Sequence, residues 1–188
     1  MTTPSIGTLT WRPALEHPDL LAPPVAAALP GLAGAAQIFV ARIDESLADT
    51  AAFCAAYRVP PEVSANCVVV AGRRGEQDRM AACLVLATDR ADVNKTVRKR
   101  LDVRKLSFAP MADAVRATGM AYGGITPIGL PADWPVLIDE AVAACPWVVI
   151  GGGSRGSKLA LPGPVAATLP GAEVLPLALP LPRISGAG

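Results

Sequence analysis

Two apolar, β-rich runs at residues 67–71 and 80–87 flank a polar turn holding Arg73, Arg74, Gly75, Glu76, Gln77 and Asp78. No other feature restricts the fold as much. Apolar runs joined by a short glycine-containing turn pair as an antiparallel hairpin. Elsewhere short apolar strands alternate with helix-period segments, the pattern that favours parallel crossovers. A chain that does both must build a mixed sheet. The expected class is therefore α/β: a mixed β-sheet with an antiparallel hairpin, flanked by helices.

Around the hairpin, residues 37–43 read as a strand. Ser46 is positioned to start a helix over 47–57, with Asp49 in its first turn and Leu47, Ala51, Cys54 and Ala55 on one face. Pro60 and Pro61 end it. Val93, Val97 and Leu101 recur every fourth residue, which buries one face of a helix and turns its charges to water. A strand follows at 106–109, then a helix that Pro110 opens and Gly119 closes. Next come the loop 122–129, a strand at 136–138, a helix at 139–144 and a strand at 147–150. A glycine-rich turn at 151–156, a strand at 158–161 and a short helix at 164–169 complete the pattern. Residues 1–35 are rich in Pro and Ala and are expected to form an appendage. Leu15, Leu20, Leu21, Leu29 and Leu32 would dock it on a body spanning 36–175. Residues 176–188, with Pro176, Pro180 and Pro182, are expected to form a loose Pro-rich tail.

Composition excludes several classes. A hydrophobic fraction of 52% against 18% charged is far from that of a disordered chain. The most apolar N-terminal stretch, 20–36, is broken by Pro23, Pro24 and Pro30, so neither a signal peptide nor a membrane span is expected. Four cysteines without a C-x-x-C pair and a single histidine argue against a metal site, and no cofactor is expected. Reduced, buried cysteines and a cytoplasmic location are the matching expectation. Net charge is only +1, yet the segment 92–105 carries +4 (Lys95, Arg98, Lys99, Arg100, Arg104 and Lys105 against Asp92 and Asp102). Positive charge is thus gathered in one element, as phosphate binding requires, although a solvated helix face has the same signature.

Two glycine loops are the candidates for chemistry. Gly123-Gly124-Ile125-Thr126-Pro127 can turn sharply and bring backbone N–H groups close to a ligand, as an ester carbonyl under attack would need; an ordinary tight turn is the alternative. Gly151-Gly152-Gly153-Ser154-Arg155-Gly156-Ser157-Lys158 could cradle a phosphate, but it lacks the Walker order and could equally be a flexible turn. His17 lies far from any nucleophile, so a Ser-His-Asp triad is not expected. Adjacent Asp139 and Glu140 diverge on any regular element and are expected to cap or pair rather than to act together.

The G-G-x-x-P loop in TGMAYGGITPIGLP, the following PVLIDEAV, and VVIGGGSRGSKLAL stand in the order and spacing of one family. The segment RADVNKTVRKRLDVRKLSFAPMADA matches it as well. From about residue 36 to about 175 the chain resembles the YbaK/prolyl-tRNA editing domain family. That resemblance implies ester hydrolysis at the terminal ribose of a mischarged transfer RNA, without metal, by a protein acting in trans. It implies that Gly123 and Gly124 hold the reacting group, that Ile125, Thr126 and Pro127 line the pocket, and that Gly151, Gly152, Gly153 and Ser154 lie beside it. Lys95, Arg98, Lys99 and Lys158 would then meet the RNA. The partners implied are aminoacyl-tRNA and a synthetase; a homodimer is left open. One position departs from the family. Its usual lysine at the start of the strand after the first helix is Asn66 here, in Ser64-Ala65-Asn66-Cys67. Asparagine orients a water or an amine but carries no charge. Two further readings stay open beside the hydrolase: a degenerate relative that binds charged transfer RNA or a synthetase without hydrolysis, and a phosphate-binding module with no RNA partner.

Overall fold

The structure, a computed structural model, describes residues 2–181. Its first half runs β1 (Arg12–Pro13), α1 (Pro23–Ala28), β2 (Phe39–Arg42), α2 (Thr50–Tyr57), β3 (Ala65–Arg74), β4 (Gln77–Leu86), β5 (Asp89–Ala91) and α3 (Arg98–Leu101). The second half runs β6 (Leu106–Phe108), α4 (Met111–Thr118), β7 (Val136–Asp139), α5 (Glu140–Ala144), β8 (Val148–Gly151), β9 (Ser157–Leu161), α6 (Gly163–Ala166), β10 (Ala172–Leu175) and β11 (Ala178–Pro180).

The hairpin is β3–β4, ten residues in each strand, in register from Ala65↔Leu86 to Arg74↔Gln77. Its two-residue turn is Gly75-Glu76, with Gly75 at φ +59°, a value a glycine adopts without steric cost. The hairpin is the middle of a five-stranded mixed sheet ordered β10-β7-β4-β3-β6, with β7 parallel to both β4 and β10. A second, antiparallel sheet is ordered β1-β2-β9-β8. Mixed pairing with flanking helices is the class that the sequence pattern demands.

The two sheets meet at one point, a parallel bridge between Ser64 and Val149. Between them lies the main apolar layer, including Ile38, Val40, Leu84, Ile138, Val148, Ile150, Leu159 and Leu161, all within 2% of complete burial. A second layer sits under the basic segment, where Val93, Val97 and Leu101 are buried against Val70, Cys83 and Leu137. This is the amphipathic face read from the sequence, although its first turn, Val93–Val97, is a wide π-type turn rather than regular α-helix. Asp92 accepts from the N–H groups of Lys95 and Thr96 and fixes that turn.

The structure differs from expectation in three local respects. Asp49, not Ser46, caps α2, accepting from the N–H groups of Ala51 and Ala52. Ser46 instead lies in a short 3-10 turn over Glu45–Leu47, capped by Asp44. The N-terminal segment is woven into the body: β1 pairs with β2, and Leu21, Ala22, Val25 and Leu29 enter the main core. The start of the expected loose tail is ordered, with β11 pairing with β5 and Leu177 fully buried. Asp139 explains this order. While capping α5 through Ala141 N–H, its carboxylate also accepts from the N–H groups of Leu177 and Ala178. The remainder of that tail lies outside the described residues.

Candidate acyl-binding site

A cavity of about 350 Å³ opens at the junction of the two sheets. Strands β3 and β8 run parallel at the Ser64–Val149 bridge and then diverge. Two residues beyond the bridge they carry Asn66 and Gly151, and both line the cavity. Gly151 in turn pairs with Lys158 on β9. The remaining wall includes Asp49 and Thr50 at the start of α2, Val69 on β3, and Gly123 and Ile125 from the loop.

The two glycine loops are packed backbone to backbone. Gly153 N–H donates to Gly124 O at 2.8 Å, and Ala121 N–H donates to Gly153 O at 2.9 Å. A Cβ on Gly124 would lie 2.3 Å from Ser154 O, and one on Gly151 would lie 2.4 Å from Gly124 O. Only glycine permits either approach. Arg155 ties the outer ends together, donating to Tyr122 O at 3.2 Å and Glu45 O at 2.9 Å.

This packing divides the sequence-derived candidates. Asn66, Gly123, Ile125, Gly151 and Lys158 share the cavity. Gly124, Thr126, Pro127, Gly152, Gly153 and Ser154 are not among its lining residues; Thr126 is fully buried, and its hydroxyl has no partner among the described residues. The N–H of Gly124 is committed to Ala121 O at 2.9 Å, so it cannot serve as an incoming donor. The N–H groups of Gly123 and Ile125 have no backbone acceptor among the described residues. Both residues line the cavity, so their N–H groups are the candidate donors there, whereas the Gly124 N–H is already engaged.

Asn66 is half-buried, and its Oδ1 accepts from Thr50 Oγ1 at 2.5 Å. That bond leaves the asparagine amide as a neutral donor in the cavity wall. Lys158 departs from its expected place on an RNA-facing surface. It is 6% exposed, its Nζ donates to Ala48 O at 3.1 Å, and it stands 4.8 Å from the centre of the Phe53 ring. Burial pushes its ammonium below the ordinary lysine value, opposed by Cys54 and Asp49 and assisted by Arg155. The cysteines are free thiols, and burial pushes Cys83 up to about 12, so it stays protonated at neutral pH.

Sequence reasoning missed the mouth of this cavity. Phe108, Met111 and Tyr122 line it and are 61%, 56% and 59% exposed. They come from β6, α4 and the loop, so no single motif announces them. The residues adjoining Phe108 and Met111 along the chain lead into a second, larger cleft of about 870 Å³. Its lining includes Arg73, Arg98, Arg104, Lys105 and Arg116, against Asp78 and Asp113. Of the three basic-helix candidates, Arg98 lines this cleft, while Lys95 and Lys99 are exposed outside it.

A sequence profile of the aminoacyl-tRNA editing domain matches residues 44–168, well over half of the chain, and the chain belongs to that family. The match runs from the turn before α2 through α6 and so takes in the whole cavity wall. The fold is shared with the crystal structure of a proposed trans-editing enzyme for prolyl tRNA synthetase. The TM-score is 0.71 at 23% identity, over 84% of this chain and 96% of that one. A scaffold protein used for epitope grafting superposes equally well, with a TM-score of 0.71 at 23% identity over 84% and 97%. A hypothetical protein of known structure follows, at 0.66 and 18% identity over 74% and 90%. Among the described residues, no helix is long and apolar enough to cross a membrane.

Proposed function

We propose that the chain is a trans-acting aminoacyl-tRNA deacylase whose cavity at the sheet junction receives the aminoacyl group of a mischarged transfer RNA. The observation that carries this reading is the gathering of Asn66, Gly123, Ile125 and Gly151 in one cavity with unspent backbone donors. An ester under attack by water develops negative charge on its carbonyl oxygen, and the Gly123 and Ile125 N–H groups are suited to meet it. Asn66, steadied by Thr50, is suited to orient the water or the substrate's amine. A volume of about 350 Å³ has room for an aminoacyl group and does not by itself select its size.

The rest of the RNA would be held outside. Phe108 and Tyr122 offer flat faces to the terminal base, a sequence-tolerant contact. Arg98, Arg104 and Lys105 would meet phosphates in the basic cleft, with Lys95 and Lys99 beyond it. Family membership and the fold shared with a proposed trans-editing enzyme support the same assignment.

The test is incubation of purified protein with a panel of mischarged transfer RNAs, following release of the amino acid. Release above the spontaneous rate for at least one pair supports the deacylase. Binding without release from any pair would leave a non-hydrolytic binder of aminoacyl-tRNA or of a synthetase. Absence of binding even at low salt would return the basic segment to a solvated face.

A further inference from the structure

A buried ammonium needs more than one acceptor. Lys158 has three N–H donors, and among the described residues only Ala48 O receives one. It forms no ion pair among the described residues. The Phe53 ring face, 4.8 Å away, gives partial electrostatic compensation. Desolvating a charge this far without a paired carboxylate is costly, and a structural role would be filled more cheaply by a leucine or methionine. Its surroundings are apolar on the sheet side, while the titratable and charged groups that act on it are Cys54, Asp49 and Arg155. Ala160, two residues along β9, packs on the same sheet face with Phe39, Ala41, Phe53 and Val149. Lys158 lies where that face reaches the cavity, beside Gly151, which contributes no side chain. Among the described residues, no other lysine or arginine lines this cavity.

We propose that Lys158 is a catalytic residue of the deacylation, its ammonium binding the ester carbonyl oxygen together with the Gly123 and Ile125 amides. This inference rests on the deacylase reading and deepens it. In the step it serves, the water oxygen bonds to the carbonyl carbon and negative charge collects on the carbonyl oxygen. The bond to the ribose oxygen then breaks. One water proton passes to that leaving oxygen, so the products are the free amino acid and the intact terminal ribose. A charged donor in a desolvated site contributes most where charge is developing, so its effect falls on the rate rather than on substrate affinity. The alternative ligand for the same ammonium is a terminal phosphate, and that would show in affinity and salt dependence instead.

Burial shapes the pH response. Only the protonated lysine can act, and its pKa is held below the ordinary value. Activity should therefore fall as pH rises through that lowered value.

The experiment is single-turnover deacylation of a mischarged transfer RNA by wild type, Lys158→Met and Lys158→Gln. The glutamine variant keeps a donor for Ala48 O and guards against a folding defect. Expected is a loss of about 100- to 1000-fold in the saturated rate for both variants, with half-saturation changed less than about threefold. The alkaline fall of the wild type should vanish in the glutamine variant. In parallel, the 15N resonance of the wild-type ammonium should move when a non-hydrolysable 3′-aminoacylamino adenosine is added. Wild-type rates in the glutamine variant, an unmoved resonance, or a loss confined to half-saturation would overturn the role of Lys158 and leave the deacylase standing. A wild type that releases nothing from any mischarged transfer RNA overturns both.

Discussion

The two concavities of this molecule share strand β3, strand β6 and helix α4 but differ in physical character. The basic cleft is open and carries its charge on five long, flexible side chains, of which Arg73 and Arg116 are each paired with an acid. Charges there act through water and are screened by salt. The cavity at the sheet junction combines the Gly123 and Gly151 backbone, the polar side chains of Asp49, Thr50 and Asn66 and the buried Lys158 ammonium, with the larger Phe108, Met111 and Tyr122 at its mouth. Few charges act there, and that of Lys158 is withdrawn from water and so is screened less than those of the cleft. On the proposed reading, the difference is a division of labour. The cleft can supply affinity without much discrimination, and the cavity can supply chemistry without much affinity.

Perturbing the loop contact should break the comparison most severely. Gly124→Val places a side chain where the first carbon alone would meet Ser154 O at 2.3 Å, so the two loops must separate. Activity should fall by about 1000-fold or more and stability by roughly 2–4 kcal/mol, while RNA binding in the cleft persists. Deacylation assays with thermal melts and a gel-shift titration check this.

Reversing charge in the cleft should do the opposite. Arg98→Glu combined with Arg104→Glu should weaken transfer RNA binding by about 100-fold at physiological salt and flatten its log–log salt slope by roughly two units. Hydrolysis of a small aminoacyl-adenosine should be unchanged. Parallel kinetics on the two substrates separate these effects.

The rim lies between the two regimes. Tyr122→Ala or Phe108→Ala should cost about 1–3 kcal/mol of binding for any substrate with a terminal base, with little dependence on salt. Isothermal titration with the adenosine analogue at two ionic strengths measures it.

The smallest effect sharpens the picture of the buried cation. The native state holds the Lys158 pKa below its unfolded value of about 10.5. Between the lowered value and 10.5 the unfolded chain binds more protons, so this group's contribution to stability rises with pH across that window. Below the window its charged form counts against folding. Lys158→Met should therefore raise the neutral-pH Tm by roughly 2–4 °C, with the gain shrinking at alkaline pH. Calorimetry at pH 7 and pH 10 reads both.

What the sequence made legible follows from what each element depends on locally. The β3–β4 hairpin is specified by its apolar runs and Gly75, all within neighbouring residues. The nearness of the two loops comes only from the family resemblance: adjacent glycines at Gly123-Gly124 and Gly151-Gly152-Gly153 allow a close backbone approach but do not say which backbone approaches. The choice of amide donors is not legible, because Gly124 loses its N–H to Ala121 through a turn that any loop could make or omit. The same holds for Lys158. Both faces of β9 are buried, so alternation gives no sign of which side meets solvent. Its surroundings are set by Phe53 on α2 and Gly151 on β8, distant in sequence. The order at β11 depends on Asp139, while Pro176 and Pro180 suggest the reverse. Among Asp44, Ser46 and Asp49, three good caps in six residues, only tertiary context selects Asp49 for α2.

A crystal structure with a non-hydrolysable 3′-aminoacylamino adenosine tests the central claim most directly. The acyl oxygen should lie within hydrogen-bond distance of Gly123 or Ile125 N–H and of Lys158 Nζ, with adenine against Phe108 or Tyr122. An acyl group bound in the basic cleft, or a sheet-junction cavity left empty beside a bound nucleoside, would contradict it.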